Sequence, residues 1–118
     1  MADFGLFVGW KDPARGRERQ AVQVFNEAVA LYSSLQERGE IESWDAVFLE
    51  PHGGDLNGFF LLRGDRDKLS AVRWSDEFLR LNMRASITVD GFGVVGAELA
   101  GRIPEQMGNY EQNVGELT

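Results

Sequence analysis

The chain has one histidine and no cysteine. Any imidazole chemistry therefore rests on His52, while disulfides, iron–sulfur ligation, thiolate zinc sites and cysteine nucleophiles are excluded. His52 stands between Pro51 and Gly53, where a solvated turn histidine is the ordinary reading. A zinc site needs three or four ligands, and one histidine without cysteine does not assemble them. Asp65 and Asp67 read as a carboxylate pair or as helix capping, and their place before an amphipathic segment favours capping. Gly91-Phe92-Gly93-Val94-Val95-Gly96 matches G-x-G-x-x-G. That pattern binds a pyrophosphate only where it joins a strand to a helix, and these glycines lie inside a strand-like run, so a bulged strand is the better account. No nucleophile elbow or phosphate-loop lysine pattern is present. No cofactor or metal is expected. What remains are large aromatics with a polar end: Trp10, Trp44, Trp74, Tyr32 and Tyr110, side chains suited to core packing or to a cavity wall.

The elements that must position them follow from spacing. Phe4 to Trp10 is an aromatic and branched run halted at Lys11-Asp12-Pro13, which predicts a first strand. From about Arg17 to Arg38, Ala21, Phe25, Ala28, Tyr32 and Leu35 recur at three- and four-residue intervals, one helix face, with Gly39 as its stop. Trp44 to Leu49 and Gly58 to Leu62 predict two strands joined as a hairpin through the turn-formers around His52, Gly53, Gly54 and Asn57. Ala71, Trp74, Phe78, Leu81 and Ala85 predict a second helix, and Ile87 to Val89 with Phe92 to Val95 a last strand bent at Asp90-Gly91. The order β-α-β-β-α-β is the split βαβ, or ferredoxin-like, arrangement: a four-stranded antiparallel sheet with two helices on one face. Beyond Gly101, Ile103, Met107, Tyr110, Val114 and Leu117 recur at steps of four, three, four and three. This predicts a short amphipathic helix, weakened by Gly108 and Gly115 at roughly 1 kcal/mol each. The expected division is a folded domain over 1–101 and an extension over 102–118.

At 118 residues the chain has the size of one domain. Its formal net charge of −7 opposes a phosphate backbone and an anionic membrane surface, so neither nucleic acid nor membrane is an expected partner. The opening Met1-Ala2-Asp3-Phe4 lacks a basic segment followed by a long apolar run, and no stretch reaches spanning length, which makes a cytoplasmic location the expectation.

An antiparallel sheet with helices on one side ordinarily alternates apolar with polar residues. Here Phe59 to Leu62 are apolar on both faces, Trp44, Ala46 and Phe48 oppose Val47 and Leu49, and Phe7 opposes Phe4, Leu6 and Val8. A second face so apolar calls for a cover: a second copy of the sheet, the C-terminal helix, or both. The symmetric dimer is the favoured expectation.

In element order, doubly apolar strands and the aromatic helix stripe around Trp74 and Phe78, residues Phe4 to Leu99 resemble the dimeric α/β-barrel proteins, a ferredoxin-like superfamily whose members pair sheets face to face. The resemblance implies a homodimer with a cavity in each subunit. Its members include small monooxygenases, isomerases, haem enzymes and many uncharacterised proteins of no known activity, and fold alone does not select an activity. Two functions compete on this footing. The first is binding of a small hydrophobic or aromatic molecule by Tyr32, Trp44, His52 and Trp74, with cofactor-independent oxygenase or isomerase chemistry as an extension and His52 or Tyr32 as proton carrier. The second is a non-catalytic interaction or regulatory module. An RNA-binding sheet would need basic residues around exposed aromatics, which the net charge opposes.

Overall fold

The computed structural model describes residues 2–117, so Met1 and Thr118, the outer ends of the two expected segments, lie outside it. Strand β1 spans Phe4–Trp10 and a two-residue β2 spans Asp12–Pro13. Helix α1 runs Glu18–Glu37 and buries Ala21, Val24, Ala28, Tyr32 and Leu35 along one stripe. It ends in a Schellman motif: Gly39 takes φ 73°, its N–H donates to the Gln36 carbonyl, and the Glu40 N–H donates to Leu35. A left-handed residue is required there, and glycine supplies it without a Cβ clash. Strands β3 (Ser43–Phe48) and β4 (Gly58–Gly64) follow, joined through the loop that holds His52.

The second helical region departs from the single helix that its periodicity predicts. It is two helices, α2 (Arg66–Arg73) and α3 (Asp76–Thr88), and the break falls at Trp74-Ser75. Asp65 caps α2, its carboxylate accepting from the N–H groups of Asp67 and Lys68. Ser75 caps α3 by accepting from the Phe78 N–H, while its hydroxyl donates to the Val72 carbonyl at 2.7 Å. A serine followed by Asp76 and Glu77 is a start signal for a new helix, and it overrides the apolar spacing that runs across it. Trp74 is consequently turned outward, 65% exposed, with the Arg73 guanidinium 5.3 Å from its ring.

Ile87 and Thr88, expected to open the last strand, instead close α3. The Thr88 hydroxyl bonds back to the carbonyls of Arg84 and Ala85 and holds this β-branched residue in the final turn. A short β5 (Val89–Asp90) then pairs with β2, and β6 (Gly93–Glu98) pairs with β1. The glycines of the G-x-G-x-x-G run thus occupy a turn and a strand. A 3₁₀ turn (Ala100–Arg102) leads into α4 (Ile103–Glu116).

The main sheet is wholly antiparallel in the order β3-β4-β1-β6. This is the ferredoxin-like fold, with three helices where two were expected. Leu6, Val8, Phe60 and Leu62 face the helices and form the core with Tyr32, Leu35, Leu69, Val72, Phe78 and Leu81. Phe7, Val47, Phe59, Leu61 and Val95 stand on the opposite face. Phe7 lies opposite both Leu61 and Val95, Val47 lies opposite Phe59, and the Phe7 and Phe59 rings approach to 5.0 Å. An Asp45–Arg63 ion pair at 2.6 Å marks one side of this face.

No residue of α4 is buried, so within one chain it shields neither its own stripe of Ile103, Met107, Tyr110, Val114 and Leu117 nor the sheet. This projecting helix accounts for a radius of gyration of 16.2 Å, against about 13.5 Å for a compact chain of this length. Among the described residues no helix is long and apolar enough to cross a membrane.

Candidate functional site

Between the sheet and helices α1 and α3 lies a cavity of about 330 Å³, at the lower end of the range for small-molecule sites. Small residues open it. Helix α1 presents Ala21 and Ala28 and α3 presents Ala85 toward the same space, where longer side chains at this helical spacing would close the gap. Trp10 at the end of β1 forms part of the wall. Its indole lies against Gly58 so closely that a Cβ there would come within 2.5 Å of the ring, so glycine at 58 is what admits the tryptophan.

The floor is an aromatic cluster around Phe60. The Tyr32 ring meets it edge-on at 4.9 Å, Phe25 stacks at 5.1 Å and Trp10 tilts against it at 5.5 Å, separations at which such pairs attract beyond their area burial. Val22 and Phe48 rim the opening and are 62% and 69% exposed, so the approach is as apolar as the interior.

Among the described residues no charged side chain lines this cavity; its polar side chains are Tyr32, Asn82 and Thr88, with the indole of Trp10. Thr88 is committed to its own helix. Tyr32 is 1% exposed, and burial pushes its phenol above the ordinary tyrosine value, because the phenolate would lose its hydration with no cation to replace it. Tyr32 is thus a neutral hydrogen-bond donor, not a base. Asn82 lies on α3 between Leu81 and Ala85, and its Oδ1 is buried without a hydrogen-bond partner among the described residues.

Of the four aromatic or imidazole residues singled out in the sequence, the structure brings one, Tyr32, to the cavity. Trp44 stands behind it, 6.2 Å from the Tyr32 ring and 6.1 Å from Phe60, and supports the wall without lining it. His52 is exposed in the β3–β4 loop. Its Nδ1 accepts from the Gly54 N–H at 3.3 Å, which places the proton on Nε2, and Nε2 donates to the Leu56 carbonyl at 2.8 Å. The imidazole staples its own loop. Trp74 faces a separate cleft near Phe4, Arg66 and Arg73.

Sequence reasoning passed over Asn82, Phe25 and Phe48. For Asn82 a signal existed: with Phe78, Leu81 and Ala85 it completes a stripe at helical spacing, and an amide in such a stripe is a polar group placed where apolar packing is the rule.

No known protein-family model matches the chain, and no curated protein matches it in sequence. Solved structures do match in three dimensions. A protein of the DABB family with a ferredoxin-like fold, from Mesorhizobium loti, superposes with a TM-score of 0.65 at 11% identity, over 85% of this chain and 99% of its own. A dimeric ferredoxin-like protein of unknown function from Thermobifida fusca gives 0.63 at 11% identity, over 83% and 92%. A hydroxynitrile lyase from Passiflora edulis gives 0.63 at 13% identity, over 84% and 94%. At these identities the likeness is one of fold, and it agrees with the strand order and helix placement described above.

Proposed function

We propose that this protein is a homodimer whose subunits each bind a small, uncharged, largely apolar molecule in the cavity between the sheet and helices α1 and α3. The observation that carries the reading is a cavity of about 330 Å³ walled by aromatic and aliphatic side chains with no charged residue. Filling it with hydrocarbon gains roughly 25 cal/mol for each Å² removed from water, whereas an ion entering it meets no counter-charge.

The homodimer rests on the outer sheet face. Phe7, Phe59, Leu61, Val47 and Val95 form one contiguous apolar surface, and each large side chain left in water forgoes roughly 1.5–3 kcal/mol of burial. Twofold pairing of identical faces is the commonest way to cover such a surface. The Thermobifida fusca protein of the same fold is described as dimeric, which supports the reading. Equilibrium sedimentation tests it: a dimer is the expected result, and a monomer at micromolar concentration favours use of the face for another protein, the second reading of this surface.

Binding is better supported than proton-transfer catalysis. Isomerase or oxygenase chemistry that begins by removing a proton requires a group able to accept one, and the lining offers no carboxylate, imidazole or amine. Tyr32, kept neutral by burial, serves as a donor, and His52 is engaged elsewhere. The cavity reading is tested by following backbone amide shifts of the isotope-labelled protein during titration with ethylbenzene. Saturable changes clustered at Val8, Ala28, Tyr32 and Leu81 support it; no saturable change would overturn it.

A further inference from the structure

We infer that α4 is a dimerisation helix: the α4 helices of two subunits pair along the stripe Ile103, Met107, Tyr110, Val114 and Leu117. This conclusion rests on the homodimer proposed above and adds a second tie to it. A 14-residue helix that carries Gly108 and Gly115 is marginal in water by itself. Neither glycine is required by its own chain, since a Cβ at either position would meet nothing within 4 Å. Nor does the body of the chain support the helix: it buries no residue, and the five stripe residues are between 45% and 88% exposed. The projection is nevertheless built into the fold. Arg102 is ion-paired with Glu98 at 3.0 Å and with Glu105, and the Gln106 amide donates to Glu98, which ties the first turn of α4 to the end of β6. A helix that its own chain aims outward and leaves uncovered takes its stability from packing on another molecule.

A second copy fits the stripe in spacing, charge and length. Steps of four, three, four and three form the narrow seam that one facing helix covers, not the broader stripe that packs on a globular core. The residues flanking the seam are Pro104, Gln106, Glu111 and Asn113. With one charge among the four, identical helices approach without a row of like charges, although the chain as a whole carries −7. The competing surface is the exposed row Leu79, Met83 and Ile87 of α3. Over 79–87 it runs roughly 12 Å, against roughly 21 Å for the α4 stripe over 103–117, and it would leave about half of the seam in water. A twofold axis instead sets each stripe against one of equal length. The helix is also continuous with the outer sheet face: β6 carries Val95 there and leads through the 3₁₀ turn into α4.

The chain has no cysteine, so one introduced thiol reports its own surroundings alone. Tyr110 is the middle residue of the stripe and faces its counterpart whether the paired helices run parallel or antiparallel. In the full-length chain at micromolar concentration, Tyr110→Cys is expected to be joined across subunits by a short thiol-specific cross-linker, and Gln112→Cys, on the opposite side of the helix, is expected not to be. Both positions are exposed within one chain, so neither substitution disturbs its core. Met107→Glu sets a carboxylate in the seam and is expected to weaken the dimer at least about 10-fold by equilibrium sedimentation, with amide exchange accelerating over Ile103–Glu116; Gln112→Glu, of equal charge, is expected to change neither. A natural dimer whose Tyr110→Cys variant does not cross-link, equal cross-linking at 110 and 112, or unchanged affinity in Met107→Glu would each overturn the pairing of α4 and leave the homodimer standing. Lost affinity in Met107→Glu without cross-linking of Tyr110→Cys would overturn it in favour of the α3 row. A natural chain that is monomeric would overturn the homodimer and this inference together.

Discussion

Replacing Ala85 by leucine puts an isobutyl group where α3 now offers a methyl to the cavity. Alanine and leucine differ little in helix propensity, so the effect is set by packing. The added carbons bury about 2.4 kcal/mol of apolar surface at about 0.8 kcal/mol each, and fixing the leucine rotamer costs about 0.5–1 kcal/mol. A net gain of about 1.5 kcal/mol raises the thermal midpoint by about 6 °C for a chain of this size. The same substitution occupies ligand space, so ethylbenzene binding falls at least 10-fold. Differential scanning calorimetry with and without ethylbenzene reads both effects: the free variant melts higher than the natural chain, and the ligand-induced increase in midpoint seen for the natural chain disappears. A lower midpoint for the free variant would mean that the space around Ala85 is already filled and the side chain is overpacked, and the reasoning from a cavity would be refuted. Stability gained together with binding lost is the signature of a site kept open at the expense of packing.

Other consequences follow from the same geometry. Phe7→Lys sets an unpaired charge in the centre of the outer sheet face, and dimer affinity measured by sedimentation should fall at least 100-fold, since an uncompensated buried charge costs about 3–5 kcal/mol. Asp65→Ala removes the acceptor for two first-turn N–H groups of α2, costing about 1 kcal/mol, and amide exchange should accelerate in Arg66–Arg73 first. The Arg84 guanidinium grips the Glu27 carboxylate at 2.7 and 2.8 Å and holds its pKa below the ordinary value. A carboxyl depressed by folding contributes stability above its unfolded pKa, and that contribution is lost as pH falls through the folded pKa. Glu27→Gln should therefore be slightly less stable than the natural chain at pH 7, the modest effect of a half-exposed pair, and chemical denaturation should show the gap closing in acid below the ordinary carboxylate range.

How much of this was legible in the sequence depends on how local the signal is. The strands announced themselves by composition, and the doubly apolar character of Phe59 to Leu62 and of Phe7 beside Leu6 and Val8 foretold an outer face with its own hydrophobic surface. Helix α1 was readable end to end, from its 3.6-residue stripe to the Gly39 stop. The break at Ser75 was missed because periodicity was weighed above capping chemistry: Ala71, Trp74 and Phe78 keep step across a boundary that Ser75, Asp76 and Glu77 signal clearly. That error carried Trp74 into the expected site, whereas the outward turn at the helix break exposes it. Tyr32 was a candidate because a large aromatic with a polar end suits a cavity wall, and the structure places it on one. His52 was weighed for its chemistry, yet the Gly54 N–H and the Leu56 carbonyl, neither visible as a motif, engage both its nitrogens. A cavity is the hardest feature to read, since it is made by side chains that are absent. Ala21, Ala28 and Ala85 are unremarkable in one dimension and converge only when α1 and α3 pack.

The most direct test of the central claim is a crystal structure of the protein grown in saturating ethylbenzene. Density for one molecule per subunit between Trp10, Tyr32, Phe60 and Ala85 is the expected result. An unoccupied cavity at saturation, or a cavity closed by repacking of Phe25 and Phe48, would contradict the account.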